Sequence, residues 1–167
     1  MTFTSVDVGV SWDRDADFDM SAVVLGSTGK IYDDEFRVTS SHRFTPGFAL
    51  THYRSGEADT DCGGYEFITA DFSRLPNAVA AVAFQVHAFG GLRRVQNASF
   101  RIVHIRADGS LGEEAVNFTL SEHATTAATA MVVGEFRRSS TGPEWEFRAL
   151  LESYDSHASM LEKYGII

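Results

Sequence analysis

The sequence predicts an all-β fold, an antiparallel β-sandwich with a short C-terminal helix. Short stretches of alternating apolar and polar residues recur along the chain, which is typical of half-buried strands. Turn residues separate these stretches, and only the last segment carries cap residues at both ends of a helical pattern. The 167 residues contain neither a linker nor a low-complexity segment, so we expect a single domain over residues 1–167.

The first half of the chain supplies four predicted strands. Residues 6–12 alternate apolar side chains with Asp7, Gly9 and Ser11, and residues 18–24 repeat the alternation. Residues 26–29 predict a hairpin turn that returns through residues 30–32. The stretch 66–72 alternates again and ends at Leu75-Pro76-Asn77.

The second half adds more strands and the helix. Residues 79–86 are almost wholly apolar, which indicates a central strand. Further strands are predicted at residues 98–105, 116–120, 131–136 and 144–150. The segment 156–164 is the predicted helix, because Ser156 can cap its start, Lys163 lies near its end and Gly165 follows.

The most informative polar segment is Asp15-Ala16-Asp17-Phe18-Asp19, which lies where the second strand begins. An extended backbone sends alternate side chains to one side, so the three carboxylates would converge. Without a cation they would repel one another. Oxygen ligands with no His or Cys nearby favour calcium or magnesium, and a turning chain suits the irregular shell of calcium.

A second acidic series, Glu57-Ala58-Asp59-Thr60-Asp61, is followed by Glu66. Either series alone is also typical of a solvated acidic loop. Two in one chain favour metal binding, more firmly for the first. An EF-hand is excluded, because the sixth and twelfth positions counted from Asp15 hold Met20 and Gly26 instead of Gly and Glu. Calcium would therefore bind at loops on a β scaffold.

Composition narrows the classes of partner and compartment. A net charge of −9, from 23 acidic and 14 basic residues, argues against nucleic acid and against a bare anionic membrane unless cations bridge the two. The single Cys62 cannot form an intrachain disulfide, which fits a reducing cytosol. With no signal-like leader and no run of membrane-spanning length, we expect a cytoplasmic, soluble protein.

Several segments match those of a known family in the same order. Ser11-Trp12 is followed by the acidic segment from Asp15 to Ala22, and the second acidic series leads into Glu66. The remaining matching segments are Asp71-Phe72-Ser73-Arg74-Leu75-Pro76, residues 95–102, Leu120-Ser121-Glu122, residues 129–135, Trp145 with Phe147-Arg148-Ala149, and Tyr164-Gly165. Together they resemble the TerD-type tellurium-resistance and general-stress proteins over nearly the whole chain.

This resemblance implies a β-sandwich that holds two calcium ions in neighbouring loops at one end. The ligands it implies are Asp15, Asp17, Asp19, Glu57, Asp59, Asp61 and Glu66. The chain departs from the family pattern at Ser40-Ser41, in place of an Asn pair. Where the family has a His-x-Gly-Asp-Asn turn, this chain keeps His52 but continues with Tyr53-Arg54-Ser55. Residues 62–65 look like an insertion without acids. Because a cationic Arg54 would oppose calcium binding, we expect one tight ion and a second that is weak or absent.

The expected function is a calcium-binding stress-response module that acts through other stress or tellurium-resistance proteins and not through turnover. The alternative is a calcium-dependent membrane or ligand adaptor, in which the ion bridges acidic loops to an anionic head group. A carboxylate-based hydrolase is less favoured, because catalytic acids need environments that separate their pKa values. No Gly-x-Ser-x-Gly elbow or phosphate-binding loop is found.

One further loop, Phe89-Gly90-Gly91-Leu92-Arg93-Arg94, has two interpretations. Its two apolar side chains beside two arginines suit contact with an anionic partner or lipid. The favoured interpretation is a hairpin tip whose Phe89 folds back onto the sheet. The neighbouring Asn97 belongs to the family motif, so the placement of this loop relative to the acidic series bears on function.

Overall fold

The computed structural model describes residues 1–13, 18–54 and 64–166, without the side chain of Gln96. Its strands are β1 (Thr2–Phe3), β2 (Ser5–Asp13), β3 (Phe18–Gly26), β4 (Arg37–Val38), β5 (Leu50–Arg54), β6 (Gly64–Asp71), β7 (Val79–Ala88), β8 (Gln96–Ile105), β9 (Leu111–Thr119), β10 (Ala130–Arg138) and β11 (Trp145–Tyr154). The α-helix α1 spans His157–Lys163. Short 3-10 turns cover Pro46–Phe48, Phe72–Arg74, Leu92–Arg94 and Ser121–His123.

The strands form two antiparallel sheets. One has six strands in the order β1-β11-β10-β7-β3-β4, and the other has five in the order β5-β6-β2-β8-β9. Side chains from the inner faces of the two sheets make the main core, and the alternating Val6, Val8 and Val10 of β2 are all buried in it. The predicted antiparallel β-sandwich with a C-terminal helix is confirmed.

The apolar run in β7 is explained by burial on both sides of its sheet. Val82, Phe84 and Val86 point into the main core. Ala81 and Ala83 lie on the opposite side, in a second, smaller apolar cluster that also contains Met160 and Tyr164 from the helix region. The prediction that this segment is a central strand is therefore correct, since β7 lies between β10 and β3.

The ends of α1 agree with the sequence signals. The Ser156 hydroxyl accepts a hydrogen bond from the backbone N–H of Ser159, as an N-cap residue does. Gly165 follows the helix with a φ of 72°, a left-handed conformation that glycine adopts without strain. Lys30 Nζ donates to the Lys163 carbonyl at 2.8 Å, at the C-terminal end of the helix. Among the described helices, none combines the length and apolar character that crossing a membrane requires.

Some elements differ from the sequence-based expectation. Strands β1, β4 and β5 were not predicted, and β9 begins at Leu111 instead of residue 116. The expected return strand at residues 30–32 contributes only an isolated bridge between Leu25 and Ile31. Beyond that bridge β3 pairs with the two-residue β4, so the chain crosses a longer loop before it rejoins the sheet.

Candidate functional site

The described structure contains two of the seven predicted calcium ligands. Asp19 lies at the start of β3, and Glu66 lies near the start of β6. Asp15, Asp17, Glu57, Asp59 and Asp61 lie outside the described residues, as does Cys62, so their roles stay predictions. Asp19 and Glu66 come from different sheets but meet at the same end of the sandwich, because both contact Arg54.

Glu66 is a fully buried carboxylate that connects the two sheets. Its side chain is 0% exposed. Its Oε2 accepts a 2.7 Å hydrogen bond from the backbone N–H of Met20, which belongs to the other sheet. The same oxygen lies 3.2 Å from Nε2 of the buried His52. An ionised carboxylate oxygen only accepts, so an imidazole that bonds to it donates from a protonated Nε2.

The Met20 N–H needs this partner because of the short neighbouring strand. β4 pairs with β3 only at Ala22 and Val23, so it does not extend along β3 to Met20. A buried backbone N–H without an acceptor costs free energy comparable to a lost hydrogen bond. The Glu66 carboxylate therefore acts at this position as the hydrogen-bond acceptor that a longer strand would supply.

Arg54 places a positive charge beside both predicted ligands that the structure describes, Asp19 and Glu66. It is the last residue of β5 and lies directly opposite Glu66 in the register with β6. Its Nη1 lies 3.3 Å from Asp19 Oδ1, and its Nε lies 3.4 Å from Glu66 Oε1. Glu66 Oε1 is buried and accepts no hydrogen bond within the described part of the chain. The expected proximity of Arg54 to the acidic residues thus takes the form of two ion pairs.

A pair of histidines lies on the other side of Asp19. His87 Nε2 lies 3.4 Å from Asp19 Oδ2, and the two residues face each other in the register of β3 and β7. The His87 ring stacks on the ring of His157 with a centroid distance of 4.0 Å. Burial lowers the pKa of His157, and the neighbouring His87 and Arg37 act in the same direction.

Sequence reasoning missed this histidine pair, because the two residues are far apart in the chain and show no ligand spacing. The pair borders a cavity of about 210 Å³ that is also lined by Ala88, Phe89, Thr129, Asp155 and Ser156. The pairing of β3 with β7 places Asp19 opposite His87, but no pattern in the sequence indicates that His157 stacks on His87.

The described residues fit a cation site only in part. Carboxylate oxygens are ligands that calcium prefers, and Glu66 Oε1 accepts no hydrogen bond from any residue that the structure describes. In residues 1–13, 18–54 and 64–166, however, no group of three or more His, Cys, Asp or Glu side chains is arranged to hold a metal ion. A calcium shell of six to eight oxygens would therefore need donors beyond Asp19 and Glu66.

The loop that contains Phe89 differs from its favoured interpretation. Phe89 makes an edge contact with the His87 ring of β7, with 6.1 Å between ring centroids, but it is 78% exposed and does not pack down as that interpretation expects. Leu92 is instead the buried apolar residue of this loop, and Arg93 and Arg94 are exposed. Gly91 N–H bonds to the Ala88 carbonyl, and this tight turn directs Phe89 outward.

Asn97 connects the same region to the end of β2. Its backbone has a φ of 52°, a conformation that Asn tolerates better than most residues. Its side-chain amide donates to the carboxylate of Asp13, the last residue of β2. The Asn97 position of the family motif thus lies next to the chain that leads into residues 14–17.

Comparisons with known proteins agree on one family. The family model described as the TerD domain matches residues 1–164. The tellurium resistance protein TerD of Serratia marcescens is 31% identical over 175 residues, which cover 97% of this chain and 88% of that protein. The tellurium resistance protein TerZ of the same organism is 33% identical over 137 residues, which cover 80% of this chain and 64% of that protein.

Two crystal structures share the fold. A protein of unknown function designated SAV2460 superposes with a TM-score of 0.74 at 23% identity, covering 95% of each chain. A homologue of the telluride resistance protein (TerD) from Streptomyces coelicolor A3(2) gives a TM-score of 0.72 at 20% identity, covering 98% of this chain and 97% of that chain. At these identities the structural likeness supports the fold alone.

Proposed function

This chain belongs to the TerD domain family, and on that basis we propose that it is a calcium-binding stress-response protein of the tellurium-resistance type. The observation that supports calcium binding is that two predicted ligands, Asp19 and Glu66, lie close together, since both contact Arg54. Asp19 ends the first acidic series and Glu66 follows the second. Their meeting supports a proposal in which both series serve one end of the sandwich.

In this proposal one calcium ion is bound by Asp15, Asp17 and Asp19, with help from Glu57, Asp59 or Asp61. When bound, calcium supplies the positive charge that offsets converging carboxylates. The second ion is weak or absent. The protein acts in the cytoplasm as a binding module, and its partners are other stress or tellurium-resistance proteins.

Calorimetric titration with calcium and thermal unfolding test this proposal together. We expect heat of binding and a higher melting temperature, because a ligand that binds only the folded state stabilises it. The double variant Asp17→Asn and Asp19→Asn keeps the size of the side chains but removes two charges, so it should weaken binding sharply. The matched control is Asp34→Asn with Glu113→Gln, at two exposed acidic positions. Equal calcium affinity in both double variants would contradict the ligand assignment.

A calcium-dependent membrane adaptor is the second candidate, and the exposed Phe89 beside Arg93 and Arg94 favours it. An exposed aromatic ring on a loop that also carries two exposed arginines suits an anionic lipid surface. Sedimentation with phosphatidylserine vesicles, with and without calcium, separates the two candidates. Binding that needs calcium and is lost in Phe89→Ser, but not in the control Leu111→Ser at another exposed apolar residue, would favour the adaptor.

A further inference from the structure

We propose that Arg54 takes the place of a second cation between Asp19 and Glu66, and that its removal opens a latent divalent-cation site there. Arg54 thereby sets how many ions the protein binds. The inference deepens the proposed calcium-binding function and rests on it for the choice of ion. It concerns only residues that the structure describes.

The guanidinium of Arg54 contacts two carboxylates at once. Arg54 reaches Asp19 through Nη1 and Glu66 through Nε, at 3.3 and 3.4 Å. The side chains of Arg54, Asp19 and Glu66 are 39%, 21% and 0% exposed. Arg54 therefore lies nearest the solvent and Glu66 is fully buried. A single cationic group therefore neutralises two carboxylates that come from different sheets.

The two carboxylate oxygens of Glu66 have different partners. An ionised carboxylate is costly to bury unless it is paired and hydrogen-bonded. Its Oε2 lies within hydrogen-bond distance of the Met20 N–H and of His52 Nε2, whereas Oε1 faces Arg54 and accepts no hydrogen bond from the described residues. An oxygen with unused lone pairs that faces a cation is suited to be a metal ligand once that cation is removed.

The consequence follows from charge. Arg54→Gln keeps a polar side chain of similar length but leaves Asp19 and Glu66 without their shared positive charge. Two nearby carboxylates then repel each other, and a divalent cation relieves the repulsion. Calcium is the ion to test because it is the ion of the proposed function, and magnesium, which often binds through one or two carboxylates and water, is the comparison ion. In the wild-type chain the positive charge of Arg54 excludes this additional ion by repulsion.

The test compares the number of bound ions in wild-type protein and Arg54→Gln by calorimetric titration with calcium chloride. We expect one more calcium ion per chain in the variant. In addition, calcium should raise the melting temperature of the variant by more than it raises that of the wild type. Arg54→Lys retains the positive charge and should keep the wild-type ion number. Arg74→Gln is the matched control, since it breaks an exposed arginine ion pair with Asp71 elsewhere.

The outcomes separate this inference from the proposed function. If the wild type binds no calcium but Arg54→Gln binds one ion, the proposed function fails and the role of Arg54 stands. A folded Arg54→Gln protein with the wild-type ion number overturns the inference, whatever that number is. If Arg54→Gln does not fold, Glu66→Gln decides: an unchanged ion number supports the inference, and a lost ion shows that Glu66 is already a ligand beside Arg54.

Discussion

The carboxylate of Glu66, on the five-stranded sheet, accepts a 2.7 Å hydrogen bond from the backbone N–H of Met20 on the six-stranded sheet. The same carboxylate contacts His52 and Arg54. Hydrogen bonds between the two layers of a sandwich are uncommon, because apolar side chains normally fill the space between sheets. This contact therefore fixes the relative position of β3 and β6 at the end of the sandwich that holds Asp19 and Glu66.

Glu66→Ala should lower the free energy of unfolding by about 1–3 kcal/mol, the usual cost of leaving a buried hydrogen-bond donor without its acceptor. The variant leaves the Met20 N–H without its acceptor and Arg54 without a buried anion. Glu66→Gln should cost less, because the amide oxygen can still accept from Met20. Urea denaturation measures both, and Glu113→Ala, at an exposed position, is the control. A loss in Glu66→Ala no larger than in the control would contradict the bridging role.

Gly134→Ala should also destabilise the protein, for a steric reason. Gly134 follows a β-bulge in β10, and an added Cβ would lie 2.5 Å from the Phe147 ring and 2.6 Å from the Arg148 carbonyl oxygen. Overpacking of this kind typically costs about 1–3 kcal/mol. Gly142→Ala is the matched control, because no atom of the described residues lies within 4 Å of its added Cβ. Equal unfolding midpoints for the two variants would show that the sheet relaxes around the bulge.

Stability should decrease as the pH falls through the ordinary pKa of histidine, in part because of His157. Its pKa in the folded state is lowered by burial, with His87 and Arg37 acting in the same direction and Asp19 opposing them. The unfolded chain therefore binds a proton at a higher pH than the folded chain does, which favours unfolding in acid. His157→Gln should flatten the decrease in unfolding free energy between pH 7.5 and pH 5.5, as measured with urea. The exposed His123→Gln should leave it unchanged.

The sequence was most informative where local signals determine structure. Ser156 and Gly165 define the ends of α1 through their own backbone and side chain, so the helix could be predicted closely. The apolar run of β7 likewise indicated a strand covered on both sides. β5 was missed because it is short and buries a histidine, His52, instead of an alternating apolar series.

The polar contacts of the candidate site were mostly beyond sequence reasoning. The proximity of Arg54 to the acidic residues could be expected from the family pattern, but its shared contact with Asp19 and Glu66 depends on how two sheets stack. The stacking of His87 on His157 depends on where the C-terminal helix begins relative to β7. Such long-range contacts leave no periodic trace in the sequence, because each partner is specified by a different element.

Calcium should stabilise the wild-type protein more than magnesium does at the same concentration. Calcium accepts irregular shells of six to eight oxygens, whereas magnesium requires a near-octahedral shell and releases its water reluctantly. At 100 times the dissociation constant, calcium should add about 2.7 kcal/mol to the free energy of unfolding, and a chelator should remove that increment. Urea denaturation in EDTA, in calcium and in magnesium measures the three values under otherwise equal conditions. Unfolding curves that coincide in all three would mean that the acidic series from Asp15 to Asp19 is a solvated loop, and the calcium proposal would then have to be abandoned.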